Sequence, residues 1–210
     1  MITLGIIGVV AAMTIPNLIS GYQKKATVTK LQKAISTLNQ AYKLSYDEYG
    51  DPEDAFSLGA KEYFKQYWAP FIKVLTYCST PEVCGYSSNT PFTFIDGSKI
   101  TTVLVSPTAR TTFLTPDGFL YIIFTGGGDA NGNMIANKSV YVDINGGEKP
   151  NMMGKDLFIL TRVEDKGILP YGYSYSDNVN KQGCSRSNGY HCAERIKRAG
   201  WQIDKSYPWK

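Results

Sequence analysis

The chain has 210 residues, of which 43% are hydrophobic and 19% charged, and a formal net charge of +4. That balance excludes a disordered chain, and the length, once a long helix is set aside, suits one head domain. The charge is uneven: residues 1–50 carry five lysines against Asp47 and Glu48, residues 51–180 are net acidic, and residues 181–210 are net basic. A basic end and an acidic middle suit contacts between neighbours in a polymer; the plainer reading is a solvated surface.

Residues 1–23 read MITLGIIGVVAAMTIPNLISGYQ, and Lys24 is the first charged side chain. About 20 apolar residues span a bilayer as helix, and this run reaches that length. Gly5, Gly8, Ala11 and Ala12 keep the helix surface thin, which lets helices approach closely in an apolar medium. Pro16 removes a backbone donor and predicts a kink or a loosened turn. A cleaved signal peptide would need a basic region before the run and a small-residue cleavage site after it, and neither is present. A buried core helix fits poorly with so long a charge-free run. An ordinary transmembrane anchor stays open.

From Lys24 the chain continues as an amphipathic helix. Val28, Leu31, Ile35, Leu38, Tyr42, Ser45 and Tyr49 alternate spacings of three and four, which is one stripe along a helix. A helix over 1–49 would be about 70 Å long at the α-helical rise. A head of about 160 residues is only roughly 35 Å across. About half the helix must therefore project, and a projecting apolar half must find a membrane or copies of itself.

The head begins with Asp51-Pro52-Glu53-Asp54, a helix start with an N-cap, a proline in the first position and acids in the first turn. Phe56, Ala60, Tyr63, Phe64, Tyr67 and Trp68 mark one face of that helix, and Pro70 should end or bend it. The face reads as core, with a sugar platform as the rival. Strands are expected at 92–95, 111–114, 119–124, 139–144 and 157–161, all rich in aromatic and β-branched residues. Thr115-Pro116-Asp117-Gly118 predicts an antiparallel hairpin between the second and third. With no alternating βαβ pattern, the fold class is α+β, an antiparallel sheet laid on the long helix. A short helix is expected from Cys192 to Ala199, ended by Gly200.

Four cysteines allow three pairings. Cys78 and Cys84, and Cys184 and Cys192, are close pairs in Gly/Ser/Asn/Pro-rich stretches, and local pairing needs the least chain folding. Two local disulfides are expected, in a chain that leaves the cytoplasm; a four-cysteine zinc site, the rival, usually has closer spacing.

The Gly-rich stretch 126–133 lacks the Lys and Ser/Thr of a phosphate loop. Asp129, Asn131 and Asn133 at alternate positions, and Asp143, Asn145 and Asp156, are calcium candidates, though the closing Glu of an EF-hand is absent. Turn chemistry is the competing account, since Asp and Asn bond their own backbone. His191 is the only histidine, no Gly-x-Ser-x-Gly elbow occurs, and no cofactor is expected. Arg195, Lys197 and Arg198 with Trp201 could touch nucleic acid, but a solvated helix face is the plainer reading and nucleic acid is not an expected partner.

The order of features over residues 1–50 resembles the N-terminal segment of type IV pilins and type II secretion pseudopilins. It consists of the apolar stretch, Gly8, Ala11 and Ala12, Pro16 just before a polar residue, and then the first charges. The stretches VYVDINGGEKPN, GKDLF and CAERIKRAGW resemble a bacterial pilin-like subfamily. The resemblance implies a pilin-like α+β fold. Residues 1–24 form a membrane or filament-core half-helix, and 25–210 form a head that includes the amphipathic half. It implies a non-enzymatic structural subunit, held in the inner membrane as a single span and then polymerised into a periplasmic or cell-surface helical filament. Leu4, Gly5, Ile6, Ile7, Gly8, Val9, Val10, Ala11, Ala12, Ile15 and Pro16 would pack in the filament core. The implied partners are further copies, other pilins or pseudopilins, the inner membrane and assembly platform, and the prepilin peptidase that processes the precursor. Family members carry a basic leader ending in Gly, cut before a Phe, and a Glu near the mature start. Aligned on Gly8 and Pro16, that Glu falls two residues before Met1, so Met1 is expected to be an internal residue of a longer helix, through truncation or a misassigned start codon. Some pseudopilins bind calcium in a loop of this part of the fold. The alternative is a single-span anchored extracytoplasmic binding or enzymatic domain.

Overall fold

A computed structural model describes residues 2–50, 57–128, 134–135 and 137–209. Within the first helix the side chains described are those of 12, 14–16 and 18 onward. That helix, α1 (Ile2–Tyr49), is continuous through Pro16, without the break that a missing donor can cause. Its second half follows the expected stripe. Val28, Leu31, Leu38, Tyr42 and Ser45 are buried and Ile35 is half-buried, whereas Tyr49 is exposed. Ala34 and Ala41 are also fully buried on this side, and side chains this small bring the helix backbone close to the layer beneath it.

The expected helix start at Asp51-Pro52-Glu53-Asp54, with Phe56, lies outside the described residues. Helix α2 (Ala60–Tyr67) buries Ala60, Tyr63 and Phe64, and Trp68 is buried just past its end. This matches the aromatic face and its packing role. The chain then turns through Pro70 into β1 (Thr76–Tyr77) and a short 3-10 turn at Glu82–Cys84.

The sheet has six strands, all pairs antiparallel. In spatial order they are β1, β2 (Arg110–Leu114), β3 (Leu120–Phe124), β6 (Ser139–Asp143), β7 (Leu157–Val163) and β8 (Gly167–Pro170). A separate two-stranded pair joins β4 (Gly127–Gly128) to β5 (Met134–Ile135). The predicted hairpin is present. Leu114 faces Leu120, Gly118 N–H donates to Thr115 O at 2.9 Å, and Gly118 adopts the positive φ of 83° that glycine tolerates. Its tip reaches α1, where Lys33 meets Asp117 at 3.0 Å.

Both faces of the sheet are covered. Phe113, Tyr121, Ile123, Val140, Val142, Phe158, Leu160 and Ile168 share a core with α1 and α2. Leu120, Ile122, Phe124, Leu157 and Ile159 share a second core with Cys78, Cys84, Tyr86, Phe92, Ile100, Leu104 and Met153. An interior strand buried on both sides reads as a continuous apolar run, which accounts for residues 119–124.

The stretch 92–95 is not a strand, contrary to the sequence pattern. It makes only isolated bridges, Thr93 with Lys99 and Thr93 with Met152. Gly97, at φ +89°, turns the chain back at once, so that Ile100 N–H donates to Phe92 O. Phe92 and Ile95 are buried as part of the cover on the sheet.

The edge strand β8 was not foreseen. Its Ile168 N–H donates to Asn39 Oδ1, and Asn39 Nδ2 donates to Ile168 O, both at 2.8 Å. One amide on α1 thus occupies the open edge as a neighbouring strand would. Gly167 fits this contact, because a Cβ there would meet Asn39 Oδ1 at 2.3 Å. Asn39→Ala is expected to cost about 1–2 kcal/mol in urea unfolding, the price of two unsatisfied backbone groups at a half-buried edge. A loss below a few tenths of a kcal/mol would show that water replaces the amide freely. The chain closes with α3 (Asp177–Gln182), also unforeseen, and α4 (Cys192–Arg198), which ends before Gly200 as expected.

Candidate functional site

Of the expected filament-core residues, Leu4, Gly5, Ile6, Ile7, Gly8, Val9, Val10 and Ala11 lie in α1, with side chains outside those described. Ala12, Ile15 and Pro16 are exposed. Within the next two turns, Leu18 is 75% exposed and Tyr22 73%. Burial against the head begins at Thr27 and Val28. The helix therefore changes character near Lys24. N-terminal to it, Ile15, Leu18, Ile19 and Tyr22 are half or more exposed; C-terminal to it, the stripe is covered by the sheet. Among the described residues no helix is long and apolar enough to cross a membrane; the span expected at 1–23 falls largely on residues whose side chains are not described.

The oxygen-rich loop after β6 brings Asp143, Asn145 and Asp156 together. Asp143 is fully buried and Asp156 nearly so. Burial raises the proton affinity of Asp143 well above the usual carboxylate range, and Asp156 adds to it. Burial likewise raises that of Asp156. The carboxylates hold the loop in shape. Asp143 accepts from Asn145 N–H at 3.2 Å and Tyr86 O–H at 2.9 Å. Asp156 accepts from Asn151 N–H at 2.8 Å and Met152 N–H at 2.5 Å. Turned with its amide nitrogen inward, Asn151 donates to Glu148 O at 2.9 Å and to Asp143 Oδ2 at 3.3 Å. These contacts are turn chemistry. Asn145 Oδ1, Asp143 and Asp156 are the oxygens a cation would draw on, but among the described residues no group of three His, Cys, Asp or Glu could hold a metal ion. The other calcium candidates, Asp129 and Asn131 with Asn133, lie outside the described residues.

Because both carboxyls bind their protons more tightly in the folded chain, their stabilising contribution is complete below pH 4. It is lost as pH rises through their raised folded values. Asp143→Asn keeps an oxygen for Asn145 N–H and offers an amide to the Tyr86 oxygen, so it removes the repulsion and gives up only the long 3.3 Å contact from Asn151. The variant is expected to be more stable than the parent at pH 7, with the difference closing toward pH 4. Paired denaturation curves at the two pH values check this, and a variant less stable at pH 7 would show that the charged form is needed.

Both expected disulfides are present, Cys78–Cys84 and Cys184–Cys192, with Cα separations of 5.6 and 4.7 Å. The second ties the loop after α3 to the start of α4, and the Tyr207 hydroxyl donates to Gly154 O beside it. His191 packs against Tyr171 and Tyr175, its ring centroid 5.3 Å from each, and burial lowers its proton affinity. The α4 cations are engaged within the head. Arg198 bonds Asp177, Glu194 and the carbonyls of Tyr173 and Tyr175, Arg195 bonds Ser206, and Lys197 lies 3.7 Å from Glu194. Two clefts flank the root of the projecting segment. One, of about 640 Å³, lies between Lys24, Lys25 and Val28 and the tail at Trp201 and Ile203. The other, of about 300 Å³, lies between Tyr22, Ala26 and Lys30 and the loop at Asn145 and Asp156.

Sequence reasoning missed the contact made by Asn39, whose only sequence signal is a polar residue beside an apolar stripe. No curated protein and no solved structure matches the chain. One family model matches residues 17–210, nearly the whole length and all of the head. The chain belongs to that family, a family of unknown function designated DUF6613.

Proposed function

We propose that this protein is a non-enzymatic structural subunit of a type IV pilus-like or type II secretion pseudopilus filament, with a pilin-like fold. The observation that carries the reading is the division of α1. Its C-terminal half is built into the head, whereas Ile15, Leu18, Ile19 and Tyr22 are half or more exposed. Exposed apolar side chains in an unbroken row are a site of association. The subunit is held in the inner membrane by the N-terminal half-helix. On assembly that half leaves lipid for a core of like helices, driven by apolar burial and by close packing at Gly5, Gly8, Ala11 and Ala12. Other pilins or pseudopilins, the assembly platform and a prepilin peptidase acting on the precursor are the partners this implies. The second reading, a single-span anchored extracytoplasmic domain, rests on the same helix. Reading the coding sequence upstream of Met1 separates them. A filament subunit has a short basic leader with Gly followed by Phe, and the acidic residue two positions before Met1. An open frame without them would overturn the filament reading.

A further inference from the structure

On the side of α1 opposite its buried stripe lies a second, exposed stripe, which Lys33 ties to the head only through the hairpin tip at Asp117. It runs through Leu18, Tyr22, Lys25, Thr29, Lys33, Ser36, Gln40, Lys43 and Asp47, all exposed, with Leu44 at its margin. Two of its large apolar side chains lie far apart, Tyr22 at 73% and Leu44 at 54% exposure. Three residues beyond each lies a charge, Lys25 and Asp47, of opposite sign. Neither charge has an ion-pair partner among the described residues. Tyr22 to Leu44 and Lys25 to Asp47 are the same step of 22 positions. On an α-helix that step is about 33 Å of rise and a residual rotation of only about 40°, so both members of each pair share one face.

We infer that this stripe is a staggered, parallel contact between two copies of the chain, in which Tyr22 and Lys25 of one copy meet Leu44 and Asp47 of the next. The inference rests on the filament reading and names the register of one of its contacts. A single shift satisfies an apolar pair and a charge pair together. Lys24 and Glu48 add to the same two signs. An antiparallel pairing of Lys25 with Asp47 would instead set Tyr22 opposite Gly50 and Leu44 opposite the buried Val28, matching neither apolar residue. The contact joins different segments of the same surface, so it is heterologous. It leaves one Tyr22–Lys25 end and one Leu44–Asp47 end free, and propagates as an open filament.

The test uses full-length chains carrying Tyr22→Cys with Leu44→Cys. The two positions are too far apart to bridge within one chain, so a disulfide joins neighbours. Sheared filaments run without reductant are expected to give a ladder of dimers, trimers and higher species, and Tyr22→Cys with Gln40→Cys is expected to give none. Lys25→Asp is expected to lower filament yield about tenfold through like-charge apposition with Asp47, and adding Asp47→Lys is expected to restore it. Filaments that form without the 22/44 ladder, that ladder equally at 22/40, or that are not restored by the double reversal overturn the contact and leave the filament reading standing. Failure of the processed parent chain to form filaments overturns both.

Discussion

A chain lacking residues 1–24 is expected to fold and to stay monomeric, whereas the processed full-length chain assembles. The residues removed include Ile15, Leu18, Ile19 and Tyr22, which are half or more exposed and lie outside both buried cores. What is left begins one turn before Val28, so the buried stripe from Val28 to Ser45, the Asn39 bridge to β8 and the Lys33–Asp117 contact at the hairpin tip are all kept. The cost to the head is one frayed helical turn and part of the wall of each of the two clefts beside it. The gain to an assembly from burying four large apolar side chains is several kcal/mol, at roughly 1.5–3 kcal/mol for each. Their loss should raise the concentration needed for association by at least about a hundredfold. Sedimentation velocity of the shortened chain and electron microscopy of the full-length one read this directly. A shortened head that stays oligomeric would place the assembly surface on the sheet or the C-terminal segment.

Leu38→Ala is expected to be the most damaging single core change on α1. Leu38 is fully buried, in the same core as Val140, Phe158 and Ile168. Burying leucine there removes water from a layer that joins the helix to the centre of the sheet. Truncation leaves a cavity that the flanking Ala34 and Ala41, already small, cannot fill. A loss of about 3 kcal/mol follows from comparable buried leucines, or a fall of about 6–12 °C in Tm for a chain of this size. Leu44→Ala, on the exposed side, should stay within about 0.5 kcal/mol of the parent. Thermal and denaturant unfolding of the two variants compares them. Equal losses would mean that α1 is not gripped by the sheet on the face described.

The elements legible in the sequence were those fixed by neighbours along the chain. The three-and-four spacing from Val28 onward reports the buried face of α1, because helical periodicity repeats it several times over. Thr115-Pro116-Asp117-Gly118 specifies its hairpin, because the proline and glycine dihedrals are set within the turn. Cys78–Cys84 and Cys184–Cys192 are bridges across short loops, and local closure favours them. The calcium candidates were legible as oxygen-bearing residues, but sequence offered no way to see that the oxygens of Asp143 and Asp156 are taken by Tyr86 and by the loop's own amides. The strand expected at 92–95 failed for a related reason. Its apolar alternation reports burial, and a loop pressed onto a sheet is buried as a strand is.

Only the tertiary structure decided where the long-range polar groups go. Asn39 closes the β8 edge across 129 positions of sequence. The buried Arg162 guanidinium donates to the Tyr63 hydroxyl across 99 positions, and to the carbonyls of Phe124 and Asn137. Neither residue carries a local sign of its partner. A buried polar group must be satisfied by whatever the fold brings within hydrogen-bonding distance, and that distance depends on the whole path of the chain. The sequence by itself determined the long helix, its two characters and the point near Lys24 where one gives way to the other. These are set by residue type and period alone, whereas the closure of the sheet edge and the pairing of buried charge are set by three-dimensional approach.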